Sequence, residues 1–401
     1  MQRILFVDDE PKLLGGLRRM LRGLRDEWTF EFAESGAEAL ATLARKPFDV
    51  VVSDMRMPGM DGSELLRQVR ERFPATVRMV LSGQCERRAV LKAVGPAHQF
   101  LTKPCNSETL KATLGRVWRL RERMPAPEAQ ELVSRVESLP SLPESLAALS
   151  AELETAQGSV DRVGRIVAAN PAMAARVLQL VNSGFFGSPQ PMVDPCRAVG
   201  LLGQERLREL AESTEAFATA ALCEWGMTRL TEVIEHSRAV AEAAGRIARA
   251  ESDCPHLLAQ ARWGGLLHDV GSLVLMQEAP DRYADLLAGG DDRDAICHRE
   301  RRAFGADHAA VGAYLLALWG LPPSLVRIAA LHHAPREWDD RTFTALTAVH
   351  AANVLCREPL AGTGGPRCNL DYPYLKQIGK IDRVAAWAEL CRAAEPEGVM
   401  V

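Results

Sequence analysis

The sequence predicts two folds in tandem, a doubly wound α/β domain followed by an all-α one. Three observations carry that reading. In the first hundred residues, short apolar runs at Ile4 to Val7, Val50 to Val52, Met79 to Leu81 and Gln99 to Leu101 alternate with amphipathic stretches of helical period. That alternation is the pattern of a parallel sheet with right-handed crossovers. Residues able to do chemistry, Asp8, Asp9, Asp54, Ser82 and Lys103, stand where those runs end. Beyond the proline pair Pro140 and Pro143 almost every segment has helical period with few β-branched runs, so the remainder is expected to be helical.

In such a sheet the strand ends gather at the carboxyl edge, where open α/β folds bind their ligands. Three carboxylates in one crevice repel each other unless a cation sits among them, and their hard oxygens suit Mg²⁺. A metal-assisted phosphate site is the expected chemistry. Lys103 supplies a point charge for a phosphoryl oxygen, Ser82 a hydroxyl donor, and Asp54 a carboxylate nucleophile exposed after its strand. The plainer reading is a doubly wound domain whose acidic edge is merely solvated.

The motifs Val7-Asp8-Asp9-Glu10, Ser53-Asp54-Met55-Arg56-Met57-Pro58-Gly59-Met60-Asp61-Gly62, Leu81-Ser82-Gly83 and Lys103-Pro104 add a family likeness. On them, residues 1 to about 122 resemble the receiver domain of bacterial two-component response regulators, a (βα)5 fold. The resemblance implies that Asp54 is the phosphoacceptor. It implies Asp9 and Asp54 as direct Mg²⁺ ligands with the Arg56 carbonyl, and Asp8 as a ligand through water. Phe100 stands at the position of the switch aromatic. In the family, phosphate draws the Ser82 hydroxyl inward and the aromatic follows, altering the surface near the fourth helix and fifth strand. A cis peptide is implied at Lys103-Pro104, and the implied partner is a sensor histidine kinase.

Composition sets limits on function. The chain has 401 residues, of which 47% are hydrophobic, enough for two or three domains with real cores. A net charge of −4 gives no general attraction to nucleic acid or to an anionic membrane. No apolar run approaches a membrane span, and the N-terminus turns acidic at Asp8 too soon for a signal peptide, so a cytoplasmic protein is expected. Nine cysteines without a Cys-x-x-Cys pair read as reduced thiols. Cys196 and Cys391 lie in apolar helical patterns and are expected in the core.

The last helix of the first domain is expected from about Ser107 through Leu120, ending in Arg116, Arg119, Arg121 and Arg123 before Pro125 and Pro127. Those arginines suit either a partner or homodimer surface or a solvated face. A linker is expected over 123–143. In the helical part, Val163 to Val167 precede Asn170-Pro171, a cap followed by a first-turn proline, and the next helix ends at Asn182-Ser183-Gly184. With Ala198 to Gly203, these pieces resemble the first half of an HDOD domain, a helical signalling module related to HD phosphohydrolases, over residues 132–360. A helical extension is expected over 361–401, after a Gly-rich loop at Gly362 to Gly365.

The second half of that likeness holds the histidines. His236, His268-Asp269, His308 and His332-His333 follow the order of ligands in the related metal-dependent phosphodiesterases. His236 reads as opening the helix Ser237 to Ala248. Imidazoles mixed with a carboxylate suit Fe, Mn or Zn, and a cation so held could activate water against a phosphodiester. Three departures argue the other way. Asn353 stands where those relatives have a closing Asp, Ser272 replaces a substrate-binding Lys, and no Gly-Tyr-Pro follows His333. For each histidine alone, a hydrogen-bonded core residue is the bland alternative. The expected function is therefore a response regulator whose HDOD output acts through protein interaction with an unnamed signalling partner. The alternatives are a phosphorylation-gated phosphohydrolase and a transcription regulator, the latter disfavoured by the lack of a basic recognition helix.

Overall fold

The computed structural model describes residues 2–83, 95–103, 105–123, 126–155, 158–183, 190–212, 217–219, 222–288, 293–357 and 369–392. Pro104, Pro125, Gly184 and the loop Gly362 to Gly365 lie outside the described residues, as do the side chains of Arg116, Arg119, Arg121 and Arg123. The first domain is a parallel sheet of strands β1 (Gln2–Val7), β2 (Trp28–Ala33), β3 (Val50–Ser53), β4 (Val77–Gly83) and β5 (Gln99–Lys103). Their spatial order is β2-β1-β3-β4-β5. The central strands are continuous apolar runs because both faces are covered, by helices that include Pro11–Met20, Gly36–Arg45, Gly62–Arg72 and Ser107–Arg123.

Strand β2 is absent from the sequence reading. It pairs with β1 alone and its interior residues are half-buried, so Phe30 and Phe32 alternate with polar neighbours inside a stretch taken as helical. Helix starts are where expected physically: Ser35 and Asp61 accept the backbone N–H of Glu38 and Glu64. Gly62 is needed for a different reason. A Cβ there would lie 2.1 Å from the Asp54 carbonyl oxygen, so only glycine lets this helix begin against the Asp54 loop.

Among its described residues the second region is helices and loops apart from Pro140–Ser141 and Ala218–Thr219, which pair in parallel as two-residue strands. Asn170 caps Pro171–Asn182 through the N–H groups of Ala172 and Met173. His236 does not open a helix; it lies inside the 28-residue helix Glu224–Glu251. The helices that follow include Pro255–Leu267, Val270–Glu278, Pro280–Leu287, Arg293–Phe304, His308–Leu318, Pro323–Leu331 and Ala345–Leu355. Short helices Tyr372–Gln377 and Val384–Arg392 pack back on this bundle, with Trp387 fully buried and its indole N–H donated to Glu251 at 3.0 Å. Cys196 and Cys391 are half-buried rather than core residues; Cys297 is buried. Among the described residues no helix is long and apolar enough to cross a membrane.

One apolar core runs from the sheet into the helical region. At the junction, Arg78 of β4 is 0% exposed and donates to the carbonyls of Pro96, Thr76 and Ser134. His98 reaches the same Ser134 carbonyl at 3.1 Å. The Gln99 amide donates to the Leu318 carbonyl at 3.0 Å, and the Gln179 amide to the His98 carbonyl at 3.0 Å. A cleft of about 280 Å³ opens beside these bonds, lined by Phe100, Thr102, Thr109, Asn182 and Trp319 among others.

Candidate functional site

The sheet brings Asp8, Asp54 and Lys103 to one edge. Ser82 and Gly83 of β4 pair with Thr102 and Lys103 of β5, which sets the Lys103 ammonium opposite the ends of β1 and β3. It donates to Asp8 Oδ2 at 2.7 Å and to Asp54 Oδ1. Asp54 Oδ2 also accepts the Arg56 N–H at 2.9 Å, and Asp8 Oδ1 that of Glu10 at 3.0 Å. Asp8, Asp54 and Ser82 are buried, whereas Asp9 is exposed. Burial pushes the Asp54 carboxyl up, and Lys103 and the Arg56 N–H only partly offset it. Burial also opposes the charged Lys103, yet Asp54 and Asp8 together hold its ammonium above the ordinary lysine value.

The donor set of Asp8, Asp9 and Asp54 suits Mg²⁺: its oxygens are hard, and the raised Asp54 lacks enough positive charge. Ser82 is fully buried one strand away, and Phe100 of β5 is buried. The structure shows the Arg56 N–H, not its carbonyl, meeting Asp54.

The second cluster forms where four helix ends meet, those at His268, Asp269, His308 and His332. Gly271 makes that possible, since a Cβ there would lie 1.9 Å from the His308 carbonyl oxygen. Asp269 is 3% exposed and sits at the centre. Its Oδ1 lies 3.3 Å from His332 Nε2 and 3.5 Å from His308 Nε2. Its Oδ2 lies 3.3 Å from His268 Nε2 and 4.0 Å from His236 Nε2. His333 Nε2 is 2.9 Å from His308 Nε2. Two sets of ligand atoms, Asp269/His308/His332/His333 and His236/His268/Asp269, each lie within 4.8 Å of one another.

The ring orientations are fixed from behind. His268 and His332 place Nδ1 against the carbonyls of Gly265 and Ala329, at 2.7 and 2.8 Å. A carbonyl only accepts, so Nδ1 carries the proton and Nε2 presents a lone pair to Asp269. His308 Nδ1 meets the buried carboxylate of Glu300 at 2.6 Å, and Glu300 also takes the Tyr283 hydroxyl. Such partners orient metal-binding imidazoles. Burial pushes His332 down to about 3, against the pull of Asp269. Burial also lowers His308, but Glu300, Asp269 and Asp307 outweigh it and hold it above the usual histidine value. Asp269 is pushed up by burial and pulled further down by His268, His332 and His308, to well below the carboxylate range.

All seven residues proposed from sequence come together here, Asn353 included, whose Oδ1 lies 2.8 Å from His236 Nε2. His350 does not join them; its ring spans the His332 carbonyl and the Asp371 N–H. Two contributors escaped the sequence reading. Arg357 donates through Nε to His236 Nε2 at 2.9 Å and through an NH2 group to Asp269 Oδ2 at 3.1 Å. Glu300 lies in an arginine-rich stretch, Arg299 to Arg302, that reads as solvated surface.

A family model for the response regulator receiver domain matches residues 4–115, and one for the HDOD domain matches 139–335. The hydrogenase transcriptional regulatory protein HoxA of Cupriavidus necator is 40% identical over 103 residues, 25% of this chain and 21% of HoxA. The chain thus spans about a fifth of that curated relative's length. The receiver domain of an HD domain-containing protein from Pseudomonas fluorescens is 30% identical with a TM-score of 0.29, over 30% of this chain and 98% of that one. A fragment of the MmoQ response regulator from Methylococcus capsulatus is 22% identical with a TM-score of 0.48, over 65% of this chain and 94% of that one.

Proposed function

We propose, on the premise that the chain is a two-component response regulator joining a receiver domain to an HDOD domain, that phosphate on Asp54 controls what the HDOD domain contacts. A sensor histidine kinase is the proposed donor. The Asp54 carboxylate attacks phosphorus, the bond to the donor nitrogen breaks, and Lys103 and the Ser82 hydroxyl hold phosphoryl oxygens. Asp8, Asp9, Asp54 and the Arg56 carbonyl would hold Mg²⁺, which supplies the positive charge that the moving group requires. We take residues 1–122 as the receiver, 123–143 as linker, 132–360 as the HDOD output and 361–401 as its extension, in a cytoplasmic protein.

The observation that supports control is the Gln99 bond. Gln99 precedes the switch aromatic Phe100 on β5 and holds the last carbonyls of the 11-residue helix His308–Leu318. That helix is about 16 Å long and begins at His308, inside the second cluster. A shift of β5 therefore pulls on one end of an element whose other end carries a cluster histidine. The test is intact mass and small-angle scattering on the full chain with Mg²⁺. Acetyl phosphate should add one phosphoryl group to wild type and none to Asp54→Asn, and beryllofluoride should alter the scattering of wild type alone. Identical scattering with and without beryllofluoride would reject control of the output.

A second reading is favoured by the pinned imidazoles: the HDOD cluster binds Fe, Mn or Zn, the site from which a phosphohydrolase could work. Convergence of lone pairs on a buried carboxylate supports binding. Ser272 in place of a phosphate-binding Lys, and Asn353 in place of a carboxylate, support an interaction module over hydrolysis. The net charge of −4 does not favour a transcription-regulator role.

A further inference from the structure

The second cluster is divided. On one side, His332 Nε2 and Asp269 Oδ1 are buried atoms without a hydrogen-bond partner. His308 and His333 set ring nitrogens 2.9 Å apart next to that Asp269 oxygen. Acceptors brought this close, with their protons fixed on the far side of two of the rings, are a donor set for a cation. On the other side the positive charge is already present. The Arg357 guanidinium spans His236 Nε2 and Asp269 Oδ2, two of the three atoms that an ion in that half would share, His268 Nε2 being the third. Asn353, an amide, completes the same half at 2.8 Å from His236.

We propose that Arg357 permanently fills one half of this site, so that the domain takes a single transition-metal ion, at Asp269, His308, His332 and His333. The inference rests on the reading that the cluster binds metal. An arginine cannot be displaced by deprotonation, because its guanidinium stays charged, and Asn353 offers an incoming ion little in exchange. Asp269 then faces an ion through Oδ1 and an arginine through Oδ2. Without a second ion there is no bridging water to attack a phosphodiester through paired metals. The ion instead ties the start of the helix Val270–Glu278 to the start of His308–Leu318 and the end of Pro323–Leu331.

The test is Mn²⁺ bound per full-length chain after titration with Mn²⁺ and desalting, read by elemental mass spectrometry, with thermal unfolding alongside. Wild type should hold one ion and unfold at a higher temperature with it. His333→Ala, at a half-buried position, should lose the ion and the thermal shift. Arg357→Ala, which removes a side chain 39% exposed, should take up a second, weaker ion, and adding Asn353→Asp should tighten it. Two ions in wild type, or one in Arg357→Ala, would overturn the role of Arg357 while leaving metal binding intact. No ion in wild type would instead overturn the metal reading beneath it.

Discussion

Asp54 and Asp269 are both aspartates that end an apolar run, both nearly inaccessible, and both in contact with cations, yet their surroundings drive them in opposite directions. Burial dominates at Asp54, where one ammonium and one backbone N–H leave its carboxyl raised. Asp269 is more deeply enclosed and still falls well below the carboxylate range, because three imidazoles converge on it, with Arg357 also bonded to Oδ2. Burial alone therefore does not set the charge of an acid; the partners fixed around it weigh against it. The first site is short of positive charge and suits a transferable group arriving with a cation. The second has most of its partners built in and suits a permanent tie.

Substitution by the neutral isostere should separate the two most widely. Asp269→Asn breaks a buried ionic network and should cost about 3–5 kcal/mol in urea unfolding. Asp54→Asn should stay within about 1 kcal/mol, and equal costs would erase the contrast. Lys103→Ala should slow phosphoryl uptake from acetyl phosphate by about 10²–10³-fold, the usual loss for one charge-stabilising group, with the fold kept by circular dichroism. Gln99→Ala removes the bond between β5 and the helix His308–Leu318 and should cost about 0.5–1.5 kcal/mol, read from the same urea titrations.

The smallest effect concerns a third buried acid. Burial raises Glu251, but Lys380, Arg383 and the Trp387 indole outweigh it and hold it below the ordinary glutamate value. A depressed folded-state value means that its contribution is present above the unfolded value and is lost as pH falls through the folded one. Protease cleavage within 369–392 should therefore increase as pH drops below the normal glutamate range, and Glu251→Gln should flatten that dependence.

The receiver was legible because its chemistry sits in contiguous motifs at strand ends, where sheet topology dictates that they meet. Strand β2 was not, since the alternation of Trp28, Phe30 and Phe32 with polar neighbours spans only six residues inside a stretch of helical period. Arg78 shortened the apparent β4 run to Met79; the carbonyls of Pro96 and Ser134, distant in sequence, join that of Thr76 in satisfying a buried arginine there. In the HDOD domain the histidines were readable by order. Arg357 and Glu300 were not, because each acts through a partner more than seven residues away while its neighbours in sequence look like ordinary surface.

The central claim is that charge on Asp54 reaches the output domain through β5 and the helix it holds. Hydrogen exchange at the amides of 315–320 and 99–103, with and without beryllofluoride and Mg²⁺, tests it most directly. Exchange at both segments should change together in wild type and in neither segment of Asp54→Asn. A change confined to 99–103, with 315–320 unmoved, would contradict it.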